Sequence, residues 1–155
     1  MLTRRVPARR LLGVHPGIIL AALDIVGLVV AGYLSVVELG GGVPYCGPLK
    51  GCETVAASPY AWIGPIPVAV FGVLLSVALL ALAVAWWRTD IYGLLLAHYG
   101  LSLVGVFFDG YFLYLQVFVI QAVCIWCVTY EVSLLLRFLI ALYVWYRQPR
   151  PKESE

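Results

Sequence analysis

An all-α fold, an antiparallel bundle of four helices crossing a membrane, is what this sequence predicts, on three observations. Of its 155 residues 63% are hydrophobic and only 12% charged, and the mean hydropathy is +0.99. A soluble domain of this size cannot hide so much apolar surface. Four stretches, 17–37, 66–87, 91–117 and 122–146, reach the length of about 20 apolar residues that a bilayer crossing needs. Positive charge is also one-sided. Arg4, Arg5, Arg9, Arg10, Arg88, Arg147, Arg150 and Lys152 fall on one side of a four-span path, and Lys50 falls on the other. The positive-inside rule then puts both termini in the cytoplasm and the 39–65 loop outside a plasma membrane. A single membrane domain over 1–155 is expected, with no repeat and no soluble second domain. The lipid bilayer is its surroundings, and no nucleic-acid partner is expected.

The elements follow in order. The basic head, 1–16, resembles the start of a targeting sequence. The apolar segment behind it is longer than a signal peptide's, and no cleavage site stands out before the loop. Pro16 suits a helix start, and Gly40-Gly41-Gly42 ends the first span after Glu38. In the loop, Glu53–Ala57 reads as a short helix before Ser58-Pro59, and Tyr60 and Trp62 suit the lipid–water interface. The second span starts around Pro65-Ile66-Pro67 and ends at Trp86-Trp87-Arg88. In the third, Gly93, Ala97 and Gly100 make a small-residue face for close helix contact. Its second half is aromatic, suited either to packing or to the wall of a ring-binding pocket. It passes almost directly into the fourth span across Phe118–Gln121. A polar tail, 147–155, closes the chain.

The chain has four cysteines, and they come as two close pairs. Cys124-Ile125-Trp126-Cys127 opens the fourth span, and two thiols three apart on a helix share a face. The first turn of a helix has unpaired N–H groups and a partial positive charge, which favour a thiolate. With a helix start at Ala122, Cys127 lies roughly 8 Å below it, so Cys124 is nearer water and Cys127 nearer lipid. Cys46 and Cys52 enclose five residues, with Gly47, Pro48 and Gly51 allowing the segment to turn back. Their Cα atoms can approach the roughly 4.4–6.8 Å that a disulfide needs, and Lys50 would favour a thiolate nearby. A water-side couple followed by a membrane-edge couple suggests a relay from a soluble thiol to a lipid-soluble acceptor. Two other readings stand beside it: inert buried cysteines, and a four-thiolate zinc site stapling the bundle.

Here the chain resembles the vitamin K epoxide reductase family, especially its bacterial and archaeal disulfide-forming members. The resemblance covers nearly the whole chain. It rests on the four spans, the loop pair, the Cys-x-x-Cys of the last span, and Gly51-Cys52-Glu53-Thr54-Val55 followed by Ser58, Tyr60, Gly64, Ile66-Pro67 and Phe71-Gly72. It implies an enzyme, a membrane oxidoreductase that acts on thiols with a quinone as acceptor (ubiquinone, menaquinone or a related one) and without a metal. The implied catalytic residues are Cys46, Cys52, Cys124 and Cys127. The implied partner is a separate periplasmic or extracellular thioredoxin-like protein, since no such domain is fused to the chain. Ser58, Phe71 and Phe112 fall on positions implied to lie at the quinone. Val68 stands near the place of a quinone-binding asparagine of vertebrate members, so those contacts do not carry over. Reduction of a quinone or quinone epoxide, as in vertebrates, is the alternative activity.

Ionisable residues inside spans are costly and are usually paired or functional. Asp24 and His98 fall roughly 10 Å, and Arg137 roughly 13 Å, from the inner face. An Asp24–Arg137 ion pair, with His98 as a third member, is expected. Asp109 and Glu131 fall about 12–14 Å from the outer face. They are candidate proton donors to a quinone, or simply interhelical hydrogen-bonding groups.

Overall fold

Proline at the first helical position and a capping side chain before it start the first helix, Pro16–Leu39 (α1). His15 Nδ1 accepts the Gly17 N–H at 3.0 Å, so its Nε2–H is free to donate to Asp90 at 3.0 Å. The computed structural model describes Thr3, Arg5, Leu11, residues 13–47 and residues 51–147. Arg4, Arg9, Arg10, Lys50, Arg150 and Lys152, whose charges enter the orientation argument, lie outside the described residues, as does the tail beyond Arg147. After α1 come a short helix, Gly51–Ala56 (α2), and three long ones: Val68–Thr89 (α3), Tyr92–Tyr114 (α4) and Ile125–Arg147 (α5). A π-helical turn, Leu115–Ile120, extends α4. Among the described residues, four helices are thus long and apolar enough to cross a membrane. The protein is an all-α membrane four-helix bundle in which α1 packs on α3 and α5, and α4 on α5 and α3.

Several boundaries differ from the sequence reading. Residues Ile66–Pro67 (β2) pair antiparallel with Trp62–Ile63 (β1), so the second span begins at Val68. The hairpin turns at Gly64, φ +64°, where a primed turn wants a glycine. The short loop helix begins at Gly51, not Glu53, and therefore includes Cys52. The fourth span begins at Ile125 rather than Ala122. The cause is Gln121, whose left-handed backbone (φ 55°) ends the π-helical turn and sends Ala122–Cys124 into the joint. The predicted small-residue face is also displaced: a Cβ at Gly100 would meet open space. The close approach on α4 is at Gly105, where a Cβ would stand 2.8 Å from Leu134 and Leu75 methyl carbons.

The core is layered along the bundle. Leu20, Ala83, Trp86, Leu95, Ala141 and Val144 fill the end away from the loop. Val30, Ala31, Leu34, Leu79, Tyr130 and Leu134 fill the middle. Cys52, Val55 and Cys124 make a third buried cluster at the loop end. Between the first two, the expected ion pair is present. Arg137 NH1 donates to Asp24 Oδ1 at 3.1 Å, and His98 Nε2 lies 3.3 Å from Asp24 Oδ2. All three side chains are buried.

Candidate functional site

The loop is carried onto the start of α5 by specific contacts. Tyr33, near the end of α1, accepts the Tyr45 N–H at 3.2 Å, and its ring lies 4.8 Å from the Trp126 ring. Trp126 Nε1–H donates to the Tyr45 carbonyl at 2.8 Å. Cys46 is therefore tethered through its neighbour to the middle of the Cys-x-x-Cys. On the other side of the loop, Gly51 lies against the Val123 backbone, so closely that any Cβ at position 51 would collide with the Val123 carbonyl. Only a glycine lets α2 approach this way. The approach puts Cys52 into one buried cluster with Cys124. Ser58 Oγ–H donates to the Val55 carbonyl at 2.7 Å and Trp62 Nε1–H to the Ala56 carbonyl at 3.2 Å, closing the end of α2.

Cys46 and Cys52 are joined in a disulfide with Cα atoms 5.9 Å apart, inside the range read from the sequence. Cys124 and Cys127 carry free thiols. With the loop pair joined to itself, four free thiolates are not available to a zinc ion. The effect of Lys50 on these thiols lies outside the described residues.

Cys124 is not on the helix, as the spacing predicts, but immediately before it. Its carbonyl accepts the Val128 N–H at 3.0 Å and its sulfur accepts the Cys127 N–H at 3.4 Å. That is the bonding of a helix N-cap, made here by a thiol. Cys127 is the third residue of α5, about 3 Å beyond Ile125 rather than about 8 Å down a longer helix. Cys127 still lies deeper along the span than Cys124. Cys124 is 2% exposed, because α2 covers it, while Cys127 and Cys46 keep partial exposure. The hydrogen bond from the Cys127 side chain lowers the Cys124 thiol from its ordinary 9.0 to about 7. Nearby backbone N–H groups of the helix start act in the same direction, against burial.

The remaining candidates fall just after α2 and on α3, α4 and α5. Glu131 follows Cys127 by one turn, and Gln116 Nε2 donates to its Oε1 at 3.1 Å. The same amide's Oε1 accepts the Cys124 N–H at 2.9 Å. Glu131 Oε2, Asp109 Oδ2 and Glu38 Oε2 are buried oxygens without a hydrogen-bond partner among the described residues. Phe112 is half-buried with its ring edge-on to Tyr111, and Phe71 is 44% exposed on α3. Tyr130 OH donates to the Gly72 carbonyl at 3.0 Å and lies 3.3 Å from Ser76 Oγ, tying α5 to α3 below the cysteines.

Sequence reasoning missed Gln116, Gly51 and Trp126 as parts of this centre. The sequence carries only local hints of them: an amide in an apolar run, a glycine preceding a cysteine, and an indole inside the Cys-x-x-Cys. Comparison with known proteins agrees with the geometry. No curated protein matches the chain at a significant level. The model of the vitamin K epoxide reductase family matches residues 18–142, a range that holds all four cysteines and nearly all of the four spans. Members of that family are membrane oxidoreductases acting on thiols and quinones, and this chain, with two cysteine pairs at one end of a four-helix bundle, belongs to the vitamin K epoxide reductase family.

Proposed function

We propose that this protein oxidises a thioredoxin-like protein outside the cytoplasm and passes the electrons through Cys46/Cys52 and Cys124/Cys127 to a membrane quinone. The observation that carries this reading is the shared buried cluster of Cys52 and Cys124. Thiol exchange needs a thiolate, a leaving thiol of low pKa and direct access of one sulfur to another.

The steps balance as a two-electron transfer. A partner thiolate attacks Cys46 and breaks the Cys46–Cys52 bond, freeing Cys52. The partner's second thiol then displaces Cys46 and leaves the partner oxidised. Cys52 attacks Cys124 of an oxidised Cys124–Cys127 pair and releases Cys127 as a thiolate. Cys46 then attacks Cys52, restores the loop disulfide and releases Cys124. Cys124 is a good leaving group at neutral pH, since its thiol sits at about 7. A loop disulfide beside two free thiols, the arrangement described above, is the distribution that follows this exchange.

A quinone bound beside Cys127 supplies an acceptor for two electrons and two protons. The residues fit such a group on one observation. Glu131 and Asp109 each bury an oxygen with no partner among the described residues, and a carboxylic acid O–H is a donor to a carbonyl oxygen. Cys127 keeps partial exposure, which leaves it open to a lipid-soluble molecule. Ser58, Phe71 and Phe112 complete the proposed surroundings. Of the three, the Ser58 hydroxyl is already donated to Val55, so it would act only as an acceptor.

The test is oxidation of a dithiol by purified protein with a series of benzoquinones and naphthoquinones. Turnover that depends on the quinone is expected, and Cys127→Ser should abolish it while accumulating a Cys52–Cys124 mixed disulfide. Full turnover in Cys127→Ser would sink the relay.

A further inference from the structure

Gln116 is 3% exposed, and its amide is used at both ends. Oε1 accepts the Cys124 N–H at 2.9 Å and Nε2 donates to Glu131 Oε1 at 3.1 Å. Its own carbonyl accepts the N–H of Gln121 and, at 3.0 Å, that of Ala122. The side chain and the main chain of one residue thus organise the whole joint between α4 and α5. The π-helical turn in which it sits is a geometry found often at functional sites.

The sense of the amide is fixed. The Cys124 peptide N–H can only donate, so the amide oxygen must face it. The NH2 group is left for Glu131, whose Oε1 is then necessarily an acceptor. A proton carried by Glu131 belongs on Oε2, the oxygen without a partner among the described residues. Glu131 stands four residues after Cys127, on the same helix face.

We propose that Gln116 is a positioning residue that locks Cys124 and Glu131 into one unit, so that the exchange thiol and a proton-bearing carboxyl keep a fixed geometry on either side of Cys127. The inference rests on the reading of Cys124 as the exchange cysteine and Glu131 as a proton donor. Gln116 acts only through the Cys124 backbone and the Glu131 carboxyl. The titrating groups facing this unit are Cys127 on α5, Glu38 on α1 and Asp109 on α4.

Two readouts on purified protein test it. The first is site-resolved alkylation of the reduced protein across a pH series, which follows Cys124 without any quinone. The second is dithiol oxidation with a short-chain benzoquinone. Gln116→Leu should move the Cys124 alkylation midpoint upward from about 7, because the N-cap loses its anchor. It should lower turnover roughly tenfold or more, as misplaced catalytic groups do. Gln116→Met, close to glutamine in shape, should behave the same way and serves if the leucine variant fails to fold. Gln116→Glu combined with Glu131→Gln reverses the carboxyl–amide bond while keeping an acceptor for the Cys124 N–H. That pair should bring the alkylation midpoint back toward the wild-type value but not the turnover, since the proton-bearing group has left position 131. The turnover loss in Gln116→Leu/Glu131→Gln should be smaller than the product of the two single losses, because part of the Gln116 effect runs through Glu131. An unmoved midpoint in both Gln116→Leu and Gln116→Met overturns the proposal, as do turnover losses that multiply in the double variant. Absence of quinone-dependent turnover in the wild type would instead overturn the proposed function, and the alkylation arm would still decide the role of Gln116.

Discussion

Cys124 does two jobs with one sulfur: it caps α5 by accepting the Cys127 N–H, and it holds a thiol lowered to about 7. The largest cause of the shift is the hydrogen bond from the Cys127 side chain, which stabilises the thiolate. The sign follows directly. The thiolate fraction rises with pH, so alkylation of reduced Cys124 should be half-maximal near 7 rather than near 9.0. Cys127→Ala should move that midpoint upward, and an unchanged midpoint would show that the helix start alone sets it. Gly51 matters by what it lacks. Gly51→Ala puts a Cβ into the Val123 carbonyl, and relieving such overpacking costs about 1–3 kcal/mol. The cheapest relief is for α2 to back away from Cys124. Yield of the Cys52–Cys124 mixed disulfide in the Cys127→Ser background should therefore fall several-fold with little change in folding. The cysteines were legible in the sequence because their chemistry and spacing are local. Gln116 and Gly51 were not, because each is defined by a neighbour across a joint: Gln116 by Cys124 and Glu131, Gly51 by Val123.

At the scale of elements, the loop is positioned by an indole. Trp126 donates to the Tyr45 carbonyl while its ring packs near Tyr33. Trp126→Phe keeps a ring and removes the donor, so the loss should be that of one hydrogen bond, roughly 0.5–1.5 kcal/mol. Its effect should fall on the loop. Dithiol oxidation through Cys46 should slow, while oxidation of a small dithiol that attacks the Cys124–Cys127 bond at the partly exposed Cys127 should be spared. Equal slowing of both would mean that Trp126 serves α5 and not the loop. The long helices were legible because a run of about 20 apolar residues has few alternatives. Their ends at the site were not. Ala122 and Val123 continue the apolar pattern of α5, and nothing local announces that Gln121 turns left-handed. Composition also cannot show that the Cys-x-x-Cys would straddle a helix start, with one thiol as the cap and the other in the first turn. The short hairpin hid in the same way, since Ile66 reads equally well as the start of a span.

At the scale of the molecule, apolar layers alternate with polar groups that tie the helices together. The cysteine centre occupies the loop end, and we propose, from the charge bias of the sequence, that this end faces away from the cytoplasm. A membrane-impermeant thiol reagent should then label reduced Cys46 in intact cells, and labelling only after lysis would invert the assignment. Further in, Asp24 bonds to both Arg137 and His98, and Arg137 also donates to the Ser133 carbonyl and hydroxyl at 3.1 and 3.0 Å. Gly27 makes room for this guanidinium, since a Cβ there would stand 2.6 Å from its NH2 nitrogen. The cluster joins α1, α4 and α5 in a region where each charge would otherwise be unpaired. Removing one partner strands the other. Asp24→Leu and Arg137→Leu should each cost about 3–5 kcal/mol, the scale of broken buried pairs in soluble proteins. The double variant should cost much less than the sum of the two, because no charge is then left unpaired. Thermal unfolding in detergent measures all three. Simple addition of the single losses would mean that Ser133 and His98 satisfy these charges independently, and that the Asp24–Arg137 bond does not hold α1 to α5.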